Sequence, residues 1–288
     1  MNQPVNPPVN GLFRYRVNFA YDGTAYWGFS KQRDFNTVQA ELLEALTTVF
    51  GESKNDFGMR VAGRTDAGVH AYDQVVHFDL SIEQIKRLGR SRGMVGKLND
   101  LLPVDIRVHS VEEAPPGFDA RFSATYRRYR YRIADGLAQK NPLKQRYTHW
   151  IKHPLDVLQM QAAALELYGL HDFASFCRPK LGATTIRHLR EITIQRNTQD
   201  DNVIEVEIQA DAFCHNMVRS IVGGLITAGE GRATPSDISA TLARKTRVGS
   251  YKVAPARGLT LIKIGYPADD QLAAQAEIAR NLRTLDEN

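Results

Sequence analysis

The sequence has only two cysteines among 288 residues, Cys177 and Cys214, and they stand far apart. That scarcity argues against a disulfide scaffold or a Cys-rich zinc site and fits a reducing compartment. Long hydrophobic runs are missing as well. The longest apolar stretch of the C-terminal half, Ile221 to Gly229, is about half a membrane span, and Arg219 interrupts its upstream side. The polar, Pro-rich start, MNQPVNPPVNG, lacks the hydrophobic segment of a secretory signal, so a soluble, cytoplasmic protein with no membrane association is expected. Nucleotide-binding and serine-hydrolase signatures are absent: no GxxxxGK[ST], no GxGxxG after a strand and no GxSxG elbow. His149 and His153 stand four apart, but Pro154 follows and no Glu or Cys lies at useful spacing. A zinc site is therefore not expected from these two residues.

What is present describes a globular protein. Hydrophobic residues make up 43% and charged residues 24%, which excludes disordered and fibrous classes. The length suits one large domain or two, with a core that needs no covalent staples. Lys and Arg number 37 against 32 acidic residues, a surplus of +5, and 26 of the 37 are Arg. Arg suits planar phosphate contacts and stacking on bases, although genome composition alone also raises Arg usage.

Residues 1–11 read as a disordered arm. Arg14 to Tyr21 alternates, with Tyr15, Val17, Phe19 and Tyr21 on one face, and predicts a half-buried strand ending at the Asp22-Gly23 turn. Asn36 and Gln39 suggest a capping box for a helix from about Thr37 to Phe50, with Val38, Leu42, Ala45, Leu46 and Val49 on its apolar face. Further strands are expected at Gln74 to Leu80 and Asp105 to Val111, separated by a helical stretch that Gly89, Gly93 and Gly96 interrupt. Ala114-Pro115-Pro116-Gly117 is the best linker candidate. It divides an N-terminal half, 12–113, from a C-terminal half, 118–267. The second half has strands at Tyr126 to Ala134, Leu189 to Arg196, Val203 to Ala210 and Leu259 to Gly265. Helices follow near Val218 to Leu225 and from Ser236. Such a mixture predicts an α+β fold with largely antiparallel sheet.

Three segments could carry chemistry. Ala62-Gly63-Arg64-Thr65-Asp66-Ala67-Gly68-Val69-His70 places two glycines around Arg, Thr and Asp just before a strand, which makes a tight loop. Asp66 could be a nucleophile or general base, with Arg64 holding it ionised; equally, an Arg–Asp pair could merely shape the loop. In Tyr126 to Ile133, alternation puts Tyr129, Tyr131 and Ile133 on one side and Arg128, Arg130 and Arg132 on the other. The row fits a nucleic-acid surface, or a solvated face paired with Glu and Asp of a neighbouring strand. Phe213-Cys214-His215-Asn216-Met217-Val218-Arg219 opens an apolar helix, where N–H groups suit an anion and Arg219 could enter a cleft, but packing explains it as well.

Taken together, these stretches resemble the tRNA pseudouridine synthase A family. The resemblance rests on Tyr21-Asp22-Gly23-Thr24 with Gly28, Thr37-Val38-Gln39, the loop Gly63 to His70, Ala120-Arg121-Phe122-Ser123-Ala124 leading into Arg128-Tyr129-Arg130-Tyr131, His171 to Phe176, Phe213 to Arg219, and Ala254-Pro255-Ala256 to Gly258-Leu259 near Tyr266-Pro267. It runs from about Phe13 to Pro267. It implies two ferredoxin-like α+β halves sharing a continuous, mainly antiparallel sheet, with a basic active-site cleft between them, acting as a homodimer. It also implies isomerisation of uridine to pseudouridine at positions 38, 39 and 40 of the tRNA anticodon stem-loop, with no metal or cofactor. By the same resemblance Asp66 is the nucleophile, Arg64 pairs with it and supports the flipped nucleotide, and Tyr129 contacts the target uracil. Arg128, Arg130 and Arg219 are then expected substrate contacts.

Two departures accompany the match. Phe29-Ser30 stands where the family usually has Trp-Gln, and the chain continues past Pro267 as a tail, 268–288, whose Leu272, Ala276, Ala279, Leu282 and Leu285 line one helical stripe. The tail is expected to pack on its own body. Two other classes compete: an RNA-binding protein without activity, which the intact Gly63 to His70 loop argues against, and a carboxylate hydrolase of small glycosides, which would have no use for the Arg-Tyr strand.

Overall fold

The computed structural model describes residues 8, 10–88, 93–180, 182, 184–247 and 251–281. The chain divides into two compact units, one running through Thr125 and taking up Ile262–Asn281, the other spanning Tyr126–Leu261. Both are α+β with mainly antiparallel sheet, as the strand and helix patterns predict.

In the first unit β1 (Leu12–Tyr21) lies between β3 (His70–Ser81) and β4 (Ile106–Glu113), antiparallel to both, and the short β2 (Arg60–Val61) pairs with β3. The alternation in β1 does what its sequence dictates: Tyr15, Val17, Phe19 and Tyr21 are buried. Helix α1 (Val38–Phe50) buries Val38, Leu42, Ala45 and Leu46, and adds Leu43 and Phe50. Its cap differs from the expected box. Thr37 accepts the Ala40 N–H, while the Gln39 side chain turns back to accept the Lys31 N–H at 3.0 Å. The interrupted helical stretch resolves into α2 (Ile82–Arg87) and α3 (Met94–Leu101).

The Ala114 to Gly117 stretch is a turn inside the first unit, not the boundary. Ala114 N–H donates to Arg14 O, Phe118 N–H to Pro115 O, and the chain crosses between units only after Thr125. Proline and glycine signal the chain reversal but not what packs around it. Of the expected N-terminal arm, residues 1–7 and 9 lie outside the described residues.

The second unit orders its strands β5 (Tyr126–Ala134), β9 (Val203–Ala210), β8 (Ile186–Asn197) and β7 (Gly169–Asp172), all antiparallel, and β6 (His149–Trp150) runs parallel to β5. Helices α4 (Val157–Leu165), α5 (Met217–Gly229) and α6 (Pro235–Ala243) cover this sheet region, with Gly229 allowing α5 to close on Met160 of α4. Cys177 and Cys214, distant in sequence, are joined as a disulfide with Cα atoms 5.7 Å apart. No spacing rule in the sequence connects these two positions, one in a loop after β7 and the other in a loop before α5. Strand β10 (Leu259–Gly265) carries the chain back to the first unit. There α7 (Leu272–Arg280) buries Leu272 and Ala276, and the Leu272 carbonyl accepts the Ser123 hydroxyl at 3.0 Å. The tail helix therefore packs on the first unit; Ala279 is exposed, and Leu282 and Leu285 lie outside the described residues.

Candidate active site

The loop from Ala62 to His70 is held at both ends by the β2–β3 hairpin, where Arg60 faces His77 and Val61 faces Val76. Ala62 N–H still donates to Val75 O, and the ladder then opens. The fully buried Gln74 side chain takes over: its Nε2 donates to Gly63 O at 2.8 Å and its Oε1 accepts Gly63 N–H at 3.4 Å. One amide thus replaces a ladder step, satisfying a backbone that would otherwise be unpaired. Beyond it, Val69 N–H donates to Asp66 O at 3.1 Å and Gly68 has φ +75°, a turn whose third position requires glycine.

The Tyr21 to Phe29 segment braces the other side of this loop. Tyr21 Oη and Thr65 Oγ1 are 2.7 Å apart, and Gln74 Nε2 donates to Tyr21 Oη at 3.3 Å. Burial pushes the Tyr21 hydroxyl up to about 12, so it stays protonated. His70 Nδ1 lies 3.0 Å from Asp22 Oδ1 and 3.1 Å from the Gly23 nitrogen. The bond with His70 is the main reason the Asp22 carboxyl is held below the usual carboxylate range. Gly68 N–H donates to Tyr26 O, and Phe29 N–H to Thr65 O at 3.1 Å. Gly28, at φ +96°, presses against the peptide between Thr65 and Ala67. The result is a half-buried Asp66 on a backbone fixed from two directions, as a preorganised reacting carboxylate needs.

Arg64 is exposed, and among the described residues no ion pair joins it to Asp66. Asp66 by contrast is half-buried, and the expected pair does not form. Tyr129 is buried in the second unit, its ring 5.2 Å from that of Phe213 and perpendicular to it. The arginine row of β5 is neutralised by acids of β9, of β8 beyond it and of the turn that joins them. Arg128 pairs with Glu191 and Glu207, Arg130 with Glu207 at 2.6 Å, and Arg132 with Glu205 and Asp200, both at 2.6 Å. Of the two readings of that row, the paired face is the one observed. The register explains it, since Arg128, Arg130 and Arg132 stand opposite Gln209, Glu207 and Glu205. Arg219 donates from Nε to Ala254 O at 2.7 Å while its own carbonyl accepts the Ala254 N–H, tying α5 to that segment. His149 packs edge-on against Tyr131, and burial pushes its imidazole down to about 4.

Sequence reasoning passed over three contributors. Gln74 reads as an ordinary strand residue, and its role depends on the opening of the ladder beside it. Tyr21 and Thr65 stood inside quoted motifs but had no assigned contact. An exposed aromatic pair, Trp27 and Phe35 with ring centroids 4.7 Å apart, also sits on the bracing segment, one residue before Gly28. Phe29, the substitute for the usual Trp, is core: it is 1% exposed and packs at 6.5 Å against Phe19.

Comparison with known proteins adds independent information. A family model described as tRNA pseudouridine synthase matches residues 163–267. The chain is 46% identical over 284 residues to the tRNA pseudouridine synthase A of Leifsonia xyli subsp. xyli, covering 94% of this chain and 98% of that protein. It is 45% identical over 286 residues to the protein of that name from Streptomyces avermitilis, covering 99% and 98% respectively. The Mycobacterium leprae protein of the same name is 42% identical over 287 residues, with 96% and 98% covered.

Proposed function

Since the chain belongs to the tRNA pseudouridine synthase A family, we propose that it isomerises uridine to pseudouridine in tRNA, with Asp66 as the nucleophile. The single observation that carries the assignment to Asp66 is its place: a half-buried carboxylate on a loop pinned by Gln74 on one side and by Tyr21, Tyr26 and Phe29 on the other. The reaction breaks the N1–C1′ bond and forms a C5–C1′ bond within one nucleotide. The proton on C5 is lost and N1 gains one, so the product is an isomer and no redox or group donor is required. A carboxylate beside C1′ stabilises the electron-poor sugar while the base turns, as in retaining glycosidases. The uridine must first leave its stack, at a cost of about a few kcal/mol that contacts to the flipped nucleotide offset.

The finer parts of the reading rest on the motif resemblance. The targets are positions 38, 39 and 40 of the anticodon stem-loop, the enzyme is a cytoplasmic homodimer, Tyr129 contacts the uracil and Arg64 supports the flipped nucleotide. The exposure of Arg64 supports its part, since an exposed guanidinium can reach a phosphate without first breaking an ion pair. Arg128 and Arg130 are not carried forward, because each already faces a carboxylate. No helix among the described residues is long and apolar enough to cross a membrane.

The test is release of tritium from tRNA carrying [5-³H]uridine. Asp66→Asn and Asp66→Ala are expected to lower turnover by about a thousandfold or more while tRNA binding stays within a few fold. Turnover retained in both variants would sink the assignment.

A further inference from the structure

The segment that braces the Asp66 loop also turns aromatic surface outward. Trp27 and Phe35 are 58% and 45% exposed, and their rings meet with centroids 4.7 Å apart and planes at 48°. A lone exposed ring needs no explanation, whereas two in contact form a continuous apolar surface of the kind that binding sites present. The segment's other rings, Tyr26 and Phe29, are buried, so exposure singles out this pair.

The pair is held in place by the backbone on which it sits. Trp27 N–H donates to Asn36 O at 2.9 Å, and Gln32 Nε2 donates to Trp27 O at 2.9 Å. Gln32 and Phe35 then pair as an antiparallel bridge, which puts Arg33 and Asp34 at the tip of a short hairpin. A surface fixed in this way loses little freedom when a partner lands on it. Arg33 at the tip is exposed, and among the described residues no ion pair engages it. Asp34 takes φ +66°, a left-handed turn position that Asp tolerates. The nearby Lys31, by contrast, faces Asp56 at 3.3 Å.

The rings lie close to the reacting carboxylate along the chain's own contacts. A Cβ on Gly28 would stand 3.2 Å from the Asp66 carbonyl carbon, and successive Cα atoms are about 3.8 Å apart, so the Cα atoms of Trp27 and Asp66 are separated by at most about 10 Å. A stacked strand rises roughly 3.4 Å per nucleotide, so that span is a matter of a few nucleotides. Extruding a uridine leaves the face of a neighbouring base without its stacking partner. An aromatic ring can take that partner's place, and because every base has a π-face it does so whatever the sequence.

We propose that Trp27 and Phe35 form a stacking platform for an unpaired tRNA base within a few nucleotides of the target uridine, with Arg33 meeting the adjoining phosphate. The platform rests on the reading of the chain as a tRNA-modifying enzyme, which supplies the base. Its residues position substrate and take no part in the bond changes at C1′.

The test uses a transcribed tRNA with uridines at positions 38, 39 and 40, filter binding across a salt series, and tritium release in parallel. Trp27→Ala is expected to weaken binding and raise KM by about fivefold or more, as loss of a base-stacking ring does, with kcat at saturating tRNA unchanged. Its plot of log K against log salt should keep the wild-type slope, because no charge is removed, while Arg33→Gln should flatten that slope by about 0.7. Trp27→Phe, which keeps a ring, should stay within about threefold of wild type, and Leu158→Ala, on an exposed leucine of the second unit, is the control. The chain has two tryptophans, so the fluorescence of wild type minus that of Trp27→Phe reports on Trp27, and tRNA should quench it. Binding of Trp27→Ala within twofold of wild type, or no quench of Trp27 by tRNA, would overturn the platform whatever happens to kcat. A change in Trp27 fluorescence that follows protein concentration without RNA would put a second copy of the chain on the rings and overturn it too. A wild-type protein that releases no tritium while tRNA still quenches Trp27 would refute the isomerase reading and leave the platform standing.

Discussion

Replacing Gly28 by alanine tests whether the bracing segment sets the position of Asp66. A Cβ built on Gly28 would lie 2.8 Å from the Thr65 carbonyl oxygen, and 3.2 Å from both the Asp66 carbonyl carbon and the Ala67 nitrogen. All three are backbone atoms and none can rotate away, so the loop must yield by roughly half an ångström to restore van der Waals contact. The residue also sits at φ +96°, where a side chain costs about 1–2 kcal/mol. Adding the packing conflict gives a destabilisation of about 2–3 kcal/mol, seen as a fall in Tm of roughly 5–10 °C. Misplacing a reacting group by about 1 Å can cost about a hundredfold in rate, so half that displacement should lower kcat at least about tenfold. Affinity for tRNA should change little, because Gly28 itself is buried. Thermal unfolding followed by circular dichroism, with tritium release at saturating tRNA, reads both effects. A variant with wild-type kcat and a Tm within 2 °C would refute the claim that this contact locates the loop.

Tyr21→Phe removes the partner of the Thr65 hydroxyl and of one Gln74 N–H while keeping the ring. It should cost about 1–3 kcal/mol in urea unfolding and lower kcat more than it raises KM. Arg196→Ala strips both bonds, at 2.9 and 2.7 Å, from the fully buried Asp135 carboxylate, and the stranded charge should destabilise the protein by about 3–5 kcal/mol at pH 7. The pH dependence has a defined sign. Burial is the main cause that pushes His77 and His149 down to about 4 from an unfolded value of 6.5. Between those values the unfolded chain binds the extra protons, so stability is present above pH 6.5 and is lost as the pH falls towards 4. Urea unfolding measured across that window should show a positive slope of up to two protons, and a flat profile would contradict neutral burial of the two imidazoles.

Much of this architecture is legible in local pattern. The alternating faces of β1, β5 and β9 and the apolar stripe of α1 follow from the period of each element, because a side chain's direction along a strand or helix is set by its own backbone. The short elements escaped. β6, with two residues, and β7, with four, are held by their neighbours rather than by any pattern of their own, and α4 has only a weakly amphipathic face. The capping signal at Asn36 and Gln39 named the right helix but the wrong cap, since Gln39 is used by the loop it faces.

By itself, the sequence determined the α+β class, most element positions, and the loop carrying Asp66, because glycine placement and hydrophobic period are local constraints. Tertiary structure decided which charges are available. Arg128, Arg130 and Arg132 look like a free basic row until the register of β9 sets Glu205 and Glu207 beside them. Arg60 and Arg280 look unrelated until folding brings β2 and α7 to one carboxylate, that of Asp119. A residue's charge is written in the chain, but whether it is neutralised depends on neighbours that only the fold supplies, because Coulomb interactions act through space and not along the sequence.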